Sequence, residues 1–263
     1  MGLPFVVADA FAEKAFTGNP AAVVFQDEPR DDAWRAAVAR EFALSETAFV
    51  EPLGEAFRLR WFTPTVEVPL CGHATLAAAH ALWETGRLPR DRPAVFETAS
   101  GRLSARADAP WATLDLPALP ARAAKPPAGL LDVLRDTPLW LGENRQAYFL
   151  ELDSEDTVRR AEPDLARLKS VTPKDLVLTA AARRGTCDFV SRCFCPASGI
   201  PEDPVTGSAH CALGPYWAER LGKPVLTAFQ ASARGGVLIV RPNGARVELG
   251  GKAVTVSRGE LLV

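Results

Sequence analysis

No stretch of about 18 apolar residues occurs in this sequence, which argues against a membrane-crossing helix. Nor does Met1-Gly2-Leu3-Pro4 have the basic start and apolar run of a secretory signal, so a cytoplasmic location is expected. A basic surplus is missing too: 30 Lys and Arg stand against 32 Asp and Glu, for a net charge of −2. Nucleic acid and anionic membranes need clustered cations, so neither is expected as a partner. There is no glycine-rich phosphate loop and no dinucleotide fingerprint. The five cysteines form no CxxC pair and are odd in number, which suits unpaired thiols in a reducing compartment. A zinc site would require distant residues to converge, and none is expected. One methionine, few Asn and Gln, and 22 prolines make a thermophile-like composition, which an Ala/Arg/Pro-rich coding bias also explains.

Apolar residues make up 48% of the 263 and charged residues 24%, the balance of an ordinary globular chain of one large or two modest domains. The most informative pattern is a repeat. Arg60-Trp61-Phe62-Thr63-Pro64 leads into Pro69-Leu70-Cys71-Gly72-His73-Ala74, and Arg192-Cys193-Phe194-Cys195-Pro196 leads into Pro204-Val205-Thr206-Gly207-Ser208-Ala209. The offset is 192 − 60 = 132 at the arginines and 204 − 69 = 135 at the second prolines, close to half the chain. Solenoid repeats recur every ~20 to 50 residues, so this spacing reads as duplication of a domain. The three extra residues fall between Pro196 and Pro204, a stretch that holds Glu202 and Asp203. The second copy is therefore expected to have gained those two acids.

Taken in order, Leu3 to Ala8 and Ala21 to Phe25 read as strands around the turn Phe16-Thr17-Gly18-Asn19-Pro20. Asp31 or Asp32 caps a helix to Phe42. Strands follow at 45–50 and 57–62, then a nearly uncharged helix from Cys71-Gly72 to Trp83. A helix apolar on all sides is a buried one. Strands at 94–98, 102–107 and 112–116 end the first half, and the prolines from Pro117 to Pro127 mark the boundary. The second half reads as helices at 129–135, 155–160 and 163–169, strands at 139–141, 147–152, 176–181 and 188–194, and a second central helix over 207–221. Strands at 225–229, 237–241, 246–249 and 253–256 close the chain. The pattern is α+β, with each half many antiparallel strands and one buried helix. The N-terminal half is expected to comprise 1–117 and about 254–263, and the C-terminal half 118–253.

Helix starts expose amide groups and a partial positive charge, a ready seat for a carboxylate. Gly72 and His73 open one such start, Gly207 and Ser208 the other, and glycine permits close backbone approach; tight helix packing would explain both glycines equally. Two related halves would hold a small carboxylic acid between these starts. His73 is a candidate for proton transfer or a structural histidine, and His80 reads as core. His210 would orient Asp203 or cap its helix. Asp203 before Pro204 is a base or a turn former. Glu46 is a solvated edge residue or a buried acid of raised pKa. Cys71 caps its helix, where thiols are acidified, but its counterpart Thr206 is no thiol, which argues against a two-thiol racemase. Ser208 lacks the G-x-S-x-G elbow and reads as a donor rather than a hydrolase nucleophile.

Four segments together resemble the PhzF family, the phenazine-biosynthesis isomerase-like proteins: Phe16-Thr17-Gly18-Asn19-Pro20-Ala21, Ser45-Glu46-Thr47, Cys71-Gly72-His73-Ala74-Thr75 and Glu202-Asp203-Pro204-Val205-Thr206-Gly207-Ser208-Ala209. They stand in the family's order over most of the chain. The resemblance implies the diaminopimelate epimerase-like fold, two pseudo-symmetric halves each with a curved, mostly antiparallel sheet around a central helix. It also implies a cofactor-independent isomerase or epimerase. A glutamate matched by Glu46 moves a proton on one face of a cyclic 2-amino acid, and residues matching His73, Asp203 and Ser208 line the site. Glu46, His73 and Asp203 are thus the expected catalytic residues, with Gly72, Gly207 and Ser208 binding a carboxylic or amino acid-like substrate. No metal is implied. A metabolite-binding protein that has lost turnover is the alternative, and a homodimer is open because family members often form one.

Overall fold

The computed structural model describes residues 2–183 and 185–263. It divides into two compact units, Met1–Leu116 with Glu248–Val263, and Pro117–Val247. The return to the first unit comes at Glu248 rather than at about residue 254, because the strand Arg246–Gly251 runs on into the last strand with one residue between them.

The first unit begins with β1 (Leu3–Ala10), β2 (Asn19–Phe25), α1 (Asp32–Phe42), β3 (Glu46–Leu53), β4 (Ala56–Phe62) and β5 (Glu67–Val68). It continues with α2 (Gly72–Glu84), β6 (Ala94–Thr98), β7 (Gly101–Asp108) and β8 (Trp111–Pro117). The second has β9 (Arg122–Ala123), β10 (Trp140–Glu143), β11 (Ala147–Glu151), α3 (Glu155–Arg160), α4 (Leu165–Val171), β12 (Asp175–Ala181), β13 (Phe189–Cys195) and β14 (Ile200–Asp203). Then come α5 (Gly207–Leu221), β15 (Leu226–Gln230), β16 (Gly236–Asn243) and β17 (Arg246–Gly251), before β18 (Ala253–Leu261) returns to pair with β1. The helix expected over 129–135 is only a 3-10 turn at Leu131–Val133.

Strand pairing repeats from one unit to the other. In the first, β2 and β3 are parallel across α1, β3 and β4 antiparallel, and β4 and β6 parallel across α2. In the second, β11 and β12 are parallel across α3 and α4, β12 and β13 antiparallel, and β13 and β15 parallel across α5. Each unit is therefore mostly antiparallel with two helix-bridged parallel pairs, a helix being the usual bridge between parallel strands. The α+β expectation holds.

Each central helix is the core of its unit. Ala74, Leu76, Ala77, Ala78, Ala79, Ala81 and Leu82 are fully buried on α2, which packs on β1, β2 and β3. Cutting a leucine such as Leu76 back to alanine there costs about 2–5 kcal/mol. In α5, Gly214 lets the helix approach β16, since a Cβ on it would lie 2.6 Å from Val240 Cγ1. Pro215 sits inside the same helix and cannot donate to the carbonyl of Cys211. The amide of Leu119, in the proline-rich joint, makes that bond instead at 3.1 Å. The joint is thereby tied to the helix it precedes by nearly a hundred residues.

Glu202 is no gain of the second copy, for Glu67 stands at the same offset, 202 − 67 = 135. Arg60 grips Glu67 through Nε and Nη2, both at 2.7 Å, and Arg192 grips Glu202 in the same way at 2.7 and 2.9 Å. The three extra residues fall between Pro196 and Glu202, where the turn Pro196–Ser198 leads into β14. Asp203 answers to Val68 and is a true difference between the copies.

Candidate active site

Three elements of the first unit converge on His73. Asn19 opens β2, Glu46 opens β3 and pairs with Ala21 on β2, and His73 is the second residue of α2. The turn before β2 makes this possible: Gly18 takes φ +64°, and a Cβ there would lie 2.2 Å from the carbonyl oxygen of Ala10. The amide nitrogen of Asn19 lies 3.0 Å from Nδ1 of His73. An amide nitrogen only donates, so Nδ1 accepts and the neutral ring carries its proton on Nε2. Nε2 faces Glu46 Oε2 at 3.2 Å, and the Glu46 side chain is 12% exposed. Burial pulls His73 down to about 3, so the imidazole is neutral at pH 7. A buried amide thus sets the tautomer of a buried imidazole whose Nε2 stands beside the Glu46 carboxylate, a contact in which neither atom meets hydrogen-bond geometry.

Cys71, the cap residue of α2, places Sγ 3.5 Å from His73 Nδ1 and makes no side-chain cap bond. Donor atoms of Glu46, Cys71 and His73 all lie within 4.8 Å of one another, a set able to hold a metal ion. His80 is half-buried instead of core, with Nε2 3.0 Å from Thr255 Oγ1.

The second unit carries Asp203, Thr206, Gly207 and Ser208. Thr206 caps α5 without a side-chain cap bond, its hydroxyl donating to Asp203 Oδ2 at 2.6 Å. Gln230, unnoticed in the sequence, clamps this corner. Its amide nitrogen donates to the Asp203 carbonyl at 2.7 Å and its oxygen accepts from the Thr206 amide at 2.8 Å. His210 does not orient Asp203: its Nδ1 donates to the Thr206 carbonyl at 2.8 Å and its Nε2 lies 3.3 Å from Ser191 Oγ. Burial lowers it to about 4. With both ring nitrogens engaged, it is no base for Ser208, and the hydrolase reading loses its partner.

Asp175 was missed altogether. It opens β12 as Glu46 opens β3, each at the strand that follows a crossover helix. Burial pushes its carboxyl up to about 6. A cavity of about 10 Å³, room for one water, is lined by Asp175, Cys193, Thr206 and Ser208 among others. No residue near Asp175 in the sequence signalled this, since its neighbours come from β13 and α5.

The profile of the PhzC-PhzF family, described as phenazine biosynthesis-like protein, matches residues 8–259. The chain belongs to this family. It is similar along its whole length to a Halalkalibacterium halodurans protein named as an uncharacterized isomerase, at 47% identity and with all of both chains covered. The crystal structure of a PhzF family protein from Enterococcus faecalis matches all of both chains at 37% identity, with a TM-score of 0.93. Farther off, a hydroxyproline epimerase from Agrobacterium vitis shares the fold at 13% identity, with a TM-score of 0.67 and 98% of this chain and 92% of that one covered. The fold is thus that of PhzF and epimerase-like proteins, and the PhzF-type chain is an isomerase. Among the described residues, no helix is long and apolar enough to cross a membrane.

Proposed function

We propose that this isomerase moves a proton on a small carboxylate-bearing, amino acid-like substrate without a cofactor, with Glu46 as general acid/base. The observation that carries the proposal is the buried cluster of Asn19, His73 and Glu46, with Asn19 bonded to His73 at 3.0 Å and His73 Nε2 3.2 Å from the Glu46 carboxylate. The Nε2 edge of the neutral imidazole lies beside one carboxylate oxygen of Glu46 and packs the group in place. Glu46 then removes a proton from the carbon next to the substrate's carboxylate or amine, and the same carboxyl returns it on the other carbon. His73 holds its ring proton throughout, because burial disfavours the imidazolium. Within the first unit, Gly72 offers a first-turn amide to a substrate carboxylate; within the second, Gly207 and Ser208 offer first-turn amides and a hydroxyl, and Asp203, fixed by Thr206 and Gln230, is that unit's proton-handling group. The similarly folded hydroxyproline epimerase holds trans-4-OH-L-proline, and a cyclic amino acid is the first substrate class to try.

A panel of cyclic and aliphatic amino acids incubated in heavy water and read by mass spectrometry tests this. Wild type is expected to incorporate deuterium into at least one compound. Glu46→Gln is expected to reduce incorporation by about 10²-fold or more with an unchanged circular dichroism spectrum. Exchange at the wild-type rate in the variant refutes the role of Glu46. Tight binding of a compound with no exchange in wild type refutes turnover.

A further inference from the structure

The cluster Asp175, Cys193 and Cys195 has no part in the proton transfer proposed above, although its cavity is also lined by Thr206 and Ser208. Cys193 and Cys195 are two residues apart on β13, so their side chains leave the same face of the strand. Both are buried, at 1% and 7% exposure. β12 runs antiparallel beside β13 with Val177 opposite Cys193, and continuing that register sets Asp175 opposite Cys195. The two sulfurs are 3.6 Å apart, far beyond the ~2.05 Å of a disulfide. Two thiolates on one tetrahedral zinc ion, each bonded at about 2.3 Å, stand about 3.8 Å apart. The thiols therefore already have nearly the separation such an ion imposes, and all three donor atoms lie within 4.8 Å of one another. The one-water cavity touches both Asp175 and Cys193.

We propose that Asp175, Cys193 and Cys195 bind one thiophilic divalent cation of the zinc class, through two thiolates and a carboxylate, with a water in the adjoining cavity as the fourth ligand. Binding exchanges one M²⁺ for the two thiol protons, which pass to solvent, and no electrons move. The three anionic ligands leave the loaded site with one net negative charge. The same cavity is lined by Thr206, Ser208 and Ala209 at the start of α5, where the helix dipole favours negative charge. Without metal, the Cys195 thiol stays protonated, raised well above its usual range by the contact with Cys193 and by burial. The site would join β12, β13 and the start of α5, a structural site built from residues up to 20 apart in sequence.

The test uses the full chain, reduced and stripped with a chelator, titrated with Co²⁺ and Cd²⁺. One equivalent is expected to bind with thiolate-to-metal charge-transfer absorption and the intense visible bands of tetrahedral cobalt. Cys193→Ser and Cys195→Ser are each expected to lose most of the charge-transfer intensity, and Asp175→Asn to weaken binding about tenfold or more. Cys71→Ser is expected to leave the absorption unchanged, which separates this site from the Glu46, Cys71 and His73 set. X-ray absorption on the cadmium-loaded wild type does not depend on any variant folding, and two sulfur neighbours are expected. A count of one sulfur or none, no uptake at all, or absorption that disappears only in Cys71→Ser overturns the proposal.

Discussion

The two copies of the repeat use one arginine for the same job with different partners, and the difference shows what duplication conserves. In both, the guanidinium grips a glutamate on the short strand before the central helix and lies over a phenylalanine two residues on, 5.1 Å from the Phe62 ring and 4.9 Å from the Phe194 ring. In both, the remaining nitrogen anchors the preceding crossover helix. Arg60 Nη1 reaches Asp32, the first residue of α1, at 2.6 Å. Arg192 Nη1 instead takes backbone carbonyls around the end of α3, those of Ala161 at 2.6 Å and Arg159 at 3.1 Å. The geometry of strand, short strand and helix start is kept, while the chemistry placed on it diverges. Where the first copy sets His73 at the second residue of its helix beside Glu46, the second sets Ser208 there, with Asp175 on the cavity wall.

The sharpest way to break the comparison is to remove each strand-opening carboxylate in turn. Glu46→Gln is expected to abolish proton exchange by about 10²-fold or more. Asp175→Asn is expected to change exchange by less than about threefold while weakening cadmium binding. If the two variants lost exchange equally, both carboxylates would be catalytic and the assignment of proton transfer to the first copy would fail.

Acid separates the copies next. His73 and His210 are buried and neutral, held down to about 3 and about 4, below the usual histidine value of about 6.5. Between those values the unfolded chain binds protons that the native imidazoles refuse, so stability is full above pH 6.5 and lost as pH falls towards 3. Asp175 acts in the opposite direction. Its folded value, about 6, lies above that of an exposed aspartate, so its native carboxyl gains stability as pH falls from about 6 towards 4. The two histidines outweigh it, and a net loss on the order of 2–4 kcal/mol is expected between pH 7 and 4.5. Urea denaturation at both values checks this. His73→Asn should flatten the loss and Asp175→Asn should steepen it; equal slopes in all three proteins would mean that none of these groups is buried as described.

Much of this was readable in the chain, though unevenly. The duplication, both central helices and the cap at Asp31 follow from short-range signals: a repeated motif, apolar periodicity, and a carboxylate that accepts from Trp34 N. The strand Ile200–Asp203 was hidden by Pro201 and Pro204, which read as turn punctuation, yet it pairs at the edge of β13 through Cys193 and Cys195. Glu46 could not be separated from a solvated edge residue by spacing, because what marks it is His73, 27 residues later. Asn19 has the local signature of a turn former, whereas its bond to His73 spans 54 residues. Asp175 and Gln230 gave no local sign at all. Local physics marks helices, caps and turns, whereas a site is assembled from strand openings that only the sheet brings together.

The smallest expected effects come from the arginines. Arg192 is the more enclosed, its side chain 14% exposed against 25% for Arg60, and its glutamate is 22% exposed against 36% for Glu67. Arg192→Ala strips a half-buried carboxylate of its bidentate partner and leaves the carbonyls of Ala161 and Arg159 without that donor, for a loss of about 2–3 kcal/mol. Arg60→Ala loses a pair that water can replace more readily, and Asp32, its other partner, is 66% exposed; about 1 kcal/mol is expected. Chemical denaturation of both variants measures the gap. Equal losses would mean that the carbonyl bonds around the end of α3 add nothing, and that the bidentate pair alone accounts for why each copy keeps an arginine at this point.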